Sequence, residues 1–272
     1  RDRGAIVNSL LWRVTEQFVW QVARKYDATT RRELLHLPPL PFFGPEKQRE
    51  REQAPVLYAY SPTVLPPPAD WSARIHVTGY WFADPPHGWE PPSDLVAFLR
   101  HGPPPVSIGF GSMTSGDPQG TLRIVLKALE LAGQRGVLLT GWAGLGEGYG
   151  LPEYAHAVQS VPHAWLFPQV AAVVHHGGAG TTGAGLRAGV PSILVPFVAD
   201  QPSWARRVEA LGACPAAIPF RELTAERLAA AITQAMSSAG IRERARALGE
   251  RIRAEDGVGV AADQILRHVA RG

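Results

Sequence analysis

The sequence of 272 residues has a single cysteine and no long apolar run. Because Cys214 has no second cysteine to pair with, no disulfide forms within the chain, which favours a reducing compartment and a cytoplasmic location. No apolar stretch reaches the roughly 18 residues that a membrane-spanning helix requires. No secretion signal is visible at the N-terminus, but the first residue is Arg rather than Met, so we expect a fragment or a processed product.

Runs of like charge are also absent. The formal net charge is +3, and the longest basic stretch, 242–253, alternates with Ala, Leu and Glu, which is typical of a solvated helix face. The sequence therefore predicts no nucleic-acid binding. Hydrophobic residues make up 45% of the chain and charged residues 19%, which excludes wholesale disorder. The length suits one large α/β domain, or one domain and a piece of another.

Metal-ligand spacings are missing as well. The nine histidines do not repeat at zinc-site intervals, and the adjacent His175 and His176 should point to opposite sides of a strand end. The acidic residues of the predicted strand-end loops are well separated in sequence. We therefore expect no metal ion and no cofactor.

Apolar periodicity divides the chain into two parts. Residues 4–26 form a helical pattern whose apolar stripe must be covered, and a proline-rich segment follows at 38–45. Short strands are predicted at 56–60 and 75–81. From residue 105 strands and helices alternate, with strands predicted at 106–110, 136–140, 157–161, 171–175, 192–197 and 214–218. Helices are predicted up to 132 and at 181–188, 203–211, 224–237, 240–254 and 258–270.

This alternation predicts a Rossmann-like, doubly wound parallel sheet. Ligands of such sheets bind beyond the carboxyl ends of the strands. The corresponding loops, after Phe110, Thr140, Val161, His175 and Phe197, are also rich in Gly, Ser, His, Asp and Trp.

The segment 171–183 joins an apolar strand to a glycine-rich turn that opens a helix. Free N–H groups at a helix N-terminus attract anions, and glycines let the backbone approach a phosphate closely. His176, Thr181 and Thr182 can add side-chain hydrogen bonds. The turn therefore predicts a diphosphate site.

Two other interpretations of this turn stay open. Gly178, Gly180 and Gly183 match the dinucleotide fingerprint G-x-G-x-x-G, with Asp200 after the next strand in the place of the ribose-binding acid. The fingerprint normally follows the first strand of its domain, whereas here three strands precede the one that leads into the turn. Two histidines directly before the turn are also not part of the fingerprint, so both features argue against a nicotinamide or flavin enzyme. The glycines can also serve only to pack the helix on the sheet.

Asp200 and Gln201 follow the next predicted strand. A carboxylate beside an amide is suited to binding vicinal sugar hydroxyls, and Asp200 is equally suited to cap the helix that starts there. The two roles are compatible.

Together these motifs resemble the donor site of UDP-sugar-dependent glycosyltransferases of the GT-B fold. The resemblance is carried by His176-Gly-Gly-Ala-Gly-Thr-Thr, Gly189-Val-Pro and Pro196-Phe-Val-Ala-Asp-Gln, and it covers most of residues 75–271. The branch of sterol glucosyltransferases and bacterial natural-product glycosyltransferases is the most similar. By this resemblance, residues 1–84 correspond to the end of an N-terminal acceptor domain, 85–104 to a linker and 105–272 to the donor-binding domain.

The resemblance implies a role for each matching residue. The donor diphosphate would contact Ser112, His176, Gly178, Ala179, Gly180 and Thr181. The uracil would bind the main chain of Val161, with Trp142 or Trp165 lining its pocket, although Trp165 is equally suited to the core. Asp200 and Gln201 would bind the hexose. Ala184 replaces the glutamate that plant members use for the ribose, so UDP and TDP are both open as donors.

The resemblance also implies metal-independent transfer with inversion from a UDP-sugar, such as UDP-glucose, to a hydroxyl of a sterol or other lipophilic acceptor. The D-x-D spacing of metal-dependent relatives does not occur here. No catalytic base is identified, because relatives carry it near the start of the N-terminal domain. The alternatives are a non-catalytic nucleotide-sugar-binding subunit that needs a partner acceptor domain, and a sugar-nucleotide epimerase. Peripheral membrane contact is also open.

Overall fold

The computed structural model describes residues 5–45, 51–111, 113, 116–141 and 150–270, without the side chains of residues 5, 6 and 9. Two compact units are present. The first contains Arg1–Val56 and His268–Gly272, and the second contains Leu57–Arg267.

Helix α1, Ala5–Glu33, dominates the first unit. It runs past the predicted end at residue 26 without a break. The main-chain carbonyl of Phe42 accepts hydrogen bonds from the side chains of Gln17, Trp20 and Gln21 at 3.3, 3.0 and 2.7 Å, so the proline-rich segment follows the helix. The predicted apolar stripe is exposed along its described length, at Leu10, Val14, Phe18 and Val22.

The second unit contains a parallel five-stranded sheet. After a two-stranded sheet of β1 (Val56–Tyr58) and β2 (Ile75–Val77), its strands are β3 (Val106–Gly109), β4 (Gly136–Leu139), β5 (Ala155–Val158), β6 (Ala172–His175) and β7 (Ser192–Leu194). The strand order is β5-β4-β3-β6-β7. The chain therefore starts in the middle at β3, builds outward on one side and returns to build the other side from β6, which confirms the predicted doubly wound fold.

Helices cover both faces of this sheet because its residues are apolar on both faces. The helices are α2 (Ser93–Arg100), α3 (Pro118–Ala132), α4 (His163–Leu166), α5 (Ala179–Ala188), α6 (Gln201–Leu211), α7 (Ala225–Ser237), α8 (Ala239–Arg253) and α9 (Gly257–Val269). Ile108, Leu138 and Val174 share one buried cluster with residues of α3 and α7. Val137 and Val173 face the other way, toward Leu95, Leu166 and Phe167.

Local sequence signals explain where the helices begin and end. The Asp117 carboxylate accepts a hydrogen bond from the Gly120 N–H at 2.8 Å and caps α3. Thr224 and Ser238 cap α7 and α8 in the same way. Gly189 and Gly212 end α5 and α6 in the left-handed conformation, with φ of 76° and 70°.

Several predicted elements need correction. The sixth strand predicted at 214–218 is wrong: Pro215 has no N–H to donate, and the segment makes isolated hydrogen bonds such as Ile218 N–H to the Leu194 carbonyl at 2.9 Å. The strand predicted at 157–161 is β5, which ends at Val158. The strand predicted at 192–197 is β7, which ends at Leu194. Helix α2 lies inside the segment predicted as a linker.

The division into compact units also differs from the predicted boundary. Tyr60, Val64 and Tyr80 share a buried cluster with Leu186 and Val208, so residues 57–84 pack with the α/β unit. The predicted assignment of 1–84, 85–104 and 105–272 to the domains of related enzymes stays a prediction.

Gly183 on α5 is enclosed by Tyr80. A Cβ added at Gly183 would lie 2.6 Å from Cε1 of the buried Tyr80 ring, whereas a Cβ at Gly180 meets nothing within 4 Å. The third glycine of the turn motif therefore allows close packing against Tyr80.

We expect Gly183→Ala to lower the free energy of unfolding by about 1–3 kcal/mol, because the added methyl group overpacks against the ring. Gly180→Ala on the same helix is the control and should be neutral or stabilising by up to about 1 kcal/mol. Urea unfolding of the full chain measures both. Equal stabilities of the two variants would contradict the packing role of Gly183.

His175 ends β6 in complete burial. Its Nδ1 accepts a hydrogen bond from the Gly177 N–H at 3.1 Å, and Nε2 has no partner among the described residues. Burial, and then the nearby His176 and His163, lower the pKa of His175 from 6.5 to about 3.

The stability of the protein should therefore fall as pH decreases from 6.5 toward 3. In that range the unfolded chain binds a proton at residue 175 and the folded chain does not, so this group contributes a slope of up to about 1.4 kcal/mol per pH unit. Urea unfolding at pH 7, 6 and 5 should show a smaller slope for His175→Gln than for the wild type. The exposed His87→Gln serves as the control, and an unchanged slope in His175→Gln would contradict the expectation.

Candidate functional site

The candidate site lies where the winding direction of the sheet reverses. The chain leaves β3 toward β4 and leaves β6 toward β7, so the loops after these adjacent strands diverge and open a crevice at their carboxyl ends. Gly109 and His175 pair across the two strands at this point. The Gly111 loop and the His176 turn form the two sides of the crevice.

The His176 imidazole is held between two glycines. A Cβ added at Gly178 would lie 2.5 Å from His176 Nε2, and one added at Gly111 would lie 3.1 Å from Cε1. Gly111 has a φ of 62°, a left-handed conformation that favours glycine. Nδ1 of His176 is buried and has no hydrogen-bond partner within the described part of the chain. The ring therefore has a defined place and an unused polar atom.

The charge state of His176 follows from its surroundings. Burial lowers its pKa below the usual 6.5, and the negative charge of Asp200 raises it in part. At neutral pH the imidazole is therefore uncharged and carries one N–H group.

The turn after β6 presents unused backbone N–H groups. Gly177 has a φ of 85°, and its N–H is bound by His175. Gly178 is the N-cap of α5 and makes no side-chain capping bond. Among the hydrogen bonds of the described residues, none uses the N–H groups of Ala179, Gly180 or Thr181. These donors and the helix dipole make this end of α5 suited to an anion, and the predicted diphosphate contacts stay predictions.

Beside the turn lies a cavity of about 120 Å³. It is lined by the loops that follow three of the strands and by the first turn of α5, through Gly111, Gly141, Gln159, Val161, His163 and Thr181. Val161 is buried at its wall. The cavity is large enough for one small ring, and it is continuous with the anion-binding turn through Thr181.

The structure brings Asp200 and Gln201 to the same crevice. A Cβ added at Gly177 would lie 3.3 Å from the Gln201 carbonyl oxygen, so the turn and the loop before α6 are in contact. The Asp200 side chain is exposed and makes no capping bond to α6. Instead, its Oδ2 accepts a hydrogen bond from Trp204 Nε1 at 2.9 Å. The predicted capping role of Asp200 is therefore wrong.

Four further residues named in the sequence analysis are not seen to face the crevice. Ser112 and Trp142 lie outside the described residues, so their predicted contacts stay predictions. Trp165 packs edge-on against Trp89, with ring centroids 5.5 Å apart, as a core aromatic does. Ala184 packs against the same apolar cluster as Val161.

Sequence reasoning missed Gln159, Ser160 and His163, which line the cavity. The sequence predicts a strand at 157–161, which places Gln159 and Ser160 inside the strand. In the structure this strand, β5, ends at Val158, and both residues lie in the loop after it. His163 stacks on the buried Phe167, with ring centroids 4.4 Å apart. Burial and the nearby His176 lower the pKa of His163. With the correct strand boundary the strand-end rule would have included Gln159 and Ser160, whereas His163 already lay in the loop after Val161 and was not singled out.

Two further observations concern metals and membranes. Within the described residues, no group of three His, Cys, Asp or Glu side chains has the arrangement of a metal site. None of the described helices is both long and apolar enough to cross a membrane.

Comparison with known proteins reveals clear relatives. The family described as erythromycin biosynthesis protein CIII-like, C-terminal domain, matches residues 145–260. A sterol 3-beta-glucosyltransferase of Arabidopsis thaliana is 39% identical over 257 residues, which cover 94% of this chain and 42% of the plant protein. A sterol 3-beta-glucosyltransferase of Cryptococcus neoformans is 39% identical over 288 residues, covering 97% of this chain and 18% of the fungal protein. The chain thus spans less than half the length of these two relatives.

Solved structures agree with this similarity. The glycotransferase of kitacinnamycin superposes with a TM-score of 0.62 and 25% identity, over 79% of this chain and 54% of that protein. The calicheamicin glycosyltransferase CalG4 superposes with a TM-score of 0.64 and 24% identity, over 80% and 54%, a likeness that shows the fold alone. Sheet order, switch-point crevice and sequence similarity confirm the predicted resemblance: the chain is similar to the C-terminal half of GT-B glycosyltransferases.

Proposed function

We propose that this chain binds a UDP-sugar, in particular UDP-glucose, and serves as the donor-binding portion of a glycosyltransferase. The observation that carries the proposal is the convergence of three features at the switch point. These are the N–H groups at the start of α5, which no described residue binds, the His176 ring between two glycines, and the Asp200–Gln201 loop in contact with the turn.

The turn is suited to a diphosphate. Its N–H groups and the positive end of the α5 dipole attract two negative charges, and each charge-assisted hydrogen bond contributes roughly 1.5–3 kcal/mol. His176 adds an N–H donor without adding a positive charge of its own. Thr181 lies at the junction of the turn and the cavity.

The two ends of the donor extend from the diphosphate in opposite directions. The uracil ring enters the cavity, whose lining includes Gln159, Ser160 and Val161. The sugar extends toward Asp200, whose charge acts on His176. Since Ala184 packs in an apolar cluster, the ribose hydroxyls must be bound by the cavity loops.

The proposed reaction is a displacement with inversion at the anomeric carbon. An acceptor hydroxyl loses its proton to a base and bonds to that carbon, while the bond from the carbon to the phosphate oxygen breaks and UDP leaves. The N–H groups of the turn and His176 stabilise the charge that develops on the leaving phosphate. We propose that no metal ion takes part.

The acceptor is proposed to be a hydroxylated lipophilic molecule. The two relatives described above are sterol 3-beta-glucosyltransferases. Because the chain covers 42% of the plant relative, the acceptor site and the base would belong to the part without a counterpart here. That fact also favours a second candidate, a nucleotide-sugar-binding subunit completed by a partner acceptor domain.

Calorimetric titration tests the donor site directly. We expect UDP and UDP-glucose to bind with micromolar dissociation constants and NAD not to bind. His176→Ala should weaken UDP binding about tenfold, or about 1.4 kcal/mol, because the leaving phosphate loses a hydrogen-bond donor. His87→Ala, an exposed histidine, is the matched control. Binding of NAD in place of UDP would show that the dinucleotide interpretation is correct.

Metal independence and turnover form a separate test. UDP should bind equally in EDTA and in Mg²⁺, because the helix end and His176 replace the cation. Glucose transfer to a sterol or a phenol by this chain alone should be slow or undetectable. A strong dependence of binding on Mg²⁺ would contradict the metal-free site, and robust transfer would contradict the need for an acceptor portion.

A further inference from the structure

The Asp200 carboxylate is held by a tryptophan. Trp204 lies one turn further along α6, and its indole N–H donates to Asp200 Oδ2 at 2.9 Å. Trp204 is half-buried, and its ring meets the Tyr60 ring edge-on, with centroids 6.0 Å apart. Since Tyr60 belongs to a buried cluster, its contact with Trp204 fixes the indole ring, and the indole N–H in turn orients the Asp200 carboxylate. Oδ1 makes no hydrogen bond to any of the described residues and is available to a ligand.

The loop before Asp200 is held by Gln201. The side-chain oxygen Oε1 of Gln201 accepts hydrogen bonds from the N–H groups of Phe197 at 2.8 Å and Val198 at 3.2 Å. Its amide nitrogen donates to the Met113 sulfur at 3.4 Å. The side chain is buried. Both polar ends of Gln201 therefore face protein groups.

Ala199, between these N–H groups and Asp200, has a strained backbone. Its φ of 59° is in the left-handed region, which is unfavourable for a residue with a Cβ. Such a conformation persists only where the surrounding contacts enforce it. The two hydrogen bonds to Gln201 close the loop across Ala199 and supply those contacts.

The loop is also fixed relative to the diphosphate turn. Gly177 packs against the main chain of Gln201, where an added Cβ would lie 3.3 Å from the carbonyl oxygen. The negative charge of Asp200 acts on His176 across this contact. The distance between the anion-binding turn and the carboxylate is therefore set before any ligand arrives, which lowers the ordering cost of binding.

We propose that Trp204 and Gln201 are positioning residues that hold the Asp200 carboxylate toward the donor sugar. Trp204 acts on the carboxylate, and Gln201 acts on the backbone that carries it. The direct contact between Gln201 and the sugar that the sequence predicts stays a prediction. The assignment rests on the proposed function, since it presumes that a sugar occupies the space beside Asp200.

Trp204→Phe tests the indole hydrogen bond, because it keeps an aromatic ring at the Tyr60 contact and removes only the N–H. Dissociation constants for UDP and for UDP-glucose are measured on the full chain by calorimetry. We expect UDP-glucose to bind about three- to tenfold more weakly and UDP to bind within about twofold of the wild type. Trp71→Phe, whose ring stacks on Tyr58 at 4.9 Å, is the matched control. An unchanged ratio of the two constants, or equal losses for both ligands, would overturn the role of Trp204.

A double-mutant cycle tests whether Trp204 acts through Asp200. Asp200→Ala should weaken the binding of UDP-glucose but not that of UDP. Adding Trp204→Phe to Asp200→Ala should not weaken UDP-glucose binding further. Additive losses in the double variant would show that Trp204 acts through packing and would refute the positioning role.

Amide hydrogen exchange tests Gln201 without any ligand. In Gln201→Met the acceptor oxygen is lost while the volume is nearly kept, and the Phe197 and Val198 amides should exchange at least tenfold faster than in the wild type. Gln201→Glu retains an acceptor oxygen and should restore protection. Unchanged exchange in Gln201→Met would overturn the role of Gln201. If the wild type binds no UDP-glucose, the proposed function fails together with the sugar-directed role, while the exchange result still decides whether Gln201 holds the loop.

Discussion

The site depends on the exposed N-terminus of one helix at the reversal point of a parallel sheet. Helix α5 starts at a glycine that offers no side-chain cap, so its first N–H groups stay available. The residues around this end keep it open. His175 binds the Gly177 N–H from below, and His176 is confined between Gly111 and Gly178. An anion that reaches the turn meets donors whose positions are already set.

The same constraint explains why so many glycines surround the site. Gly111 and Gly177 have positive φ, and Gly178 leaves room for the His176 ring. Gly183, one turn further along α5, is needed for a different reason, because Tyr80 occupies the space of its missing side chain. The first glycine of the motif thus leaves room for the His176 ring and the last one for the Tyr80 ring, so both are required by neighbouring aromatic side chains.

Polar groups near the site divide into those that face a ligand and those that hold others in place. Asp200 and His176 face the crevice, and the charge of one acts on the pKa of the other. His175, Gln201 and Trp204 are turned toward the protein, where each forms a hydrogen bond to a group of the turn or of the loop before α6. The rigid arrangement of the first group is a consequence of the contacts made by the second.

The alternation of strands and helices by itself determined the doubly wound fold, because apolar periodicity and glycine stops are local properties. The strand-to-turn pattern at 171–183 likewise located the helix N-terminus that has no side-chain cap, since a helix that follows a parallel strand begins at the carboxyl edge of the sheet. Only the tertiary structure decided that Asp200 leaves its helix uncapped and binds Trp204, that Gln201 is directed inward, and that Gln159 and His163 line the cavity. It also decided that 214–218 is no strand. These outcomes depend on which groups meet across distant segments, and no local pattern encodes the competition among hydrogen-bond partners that settles them.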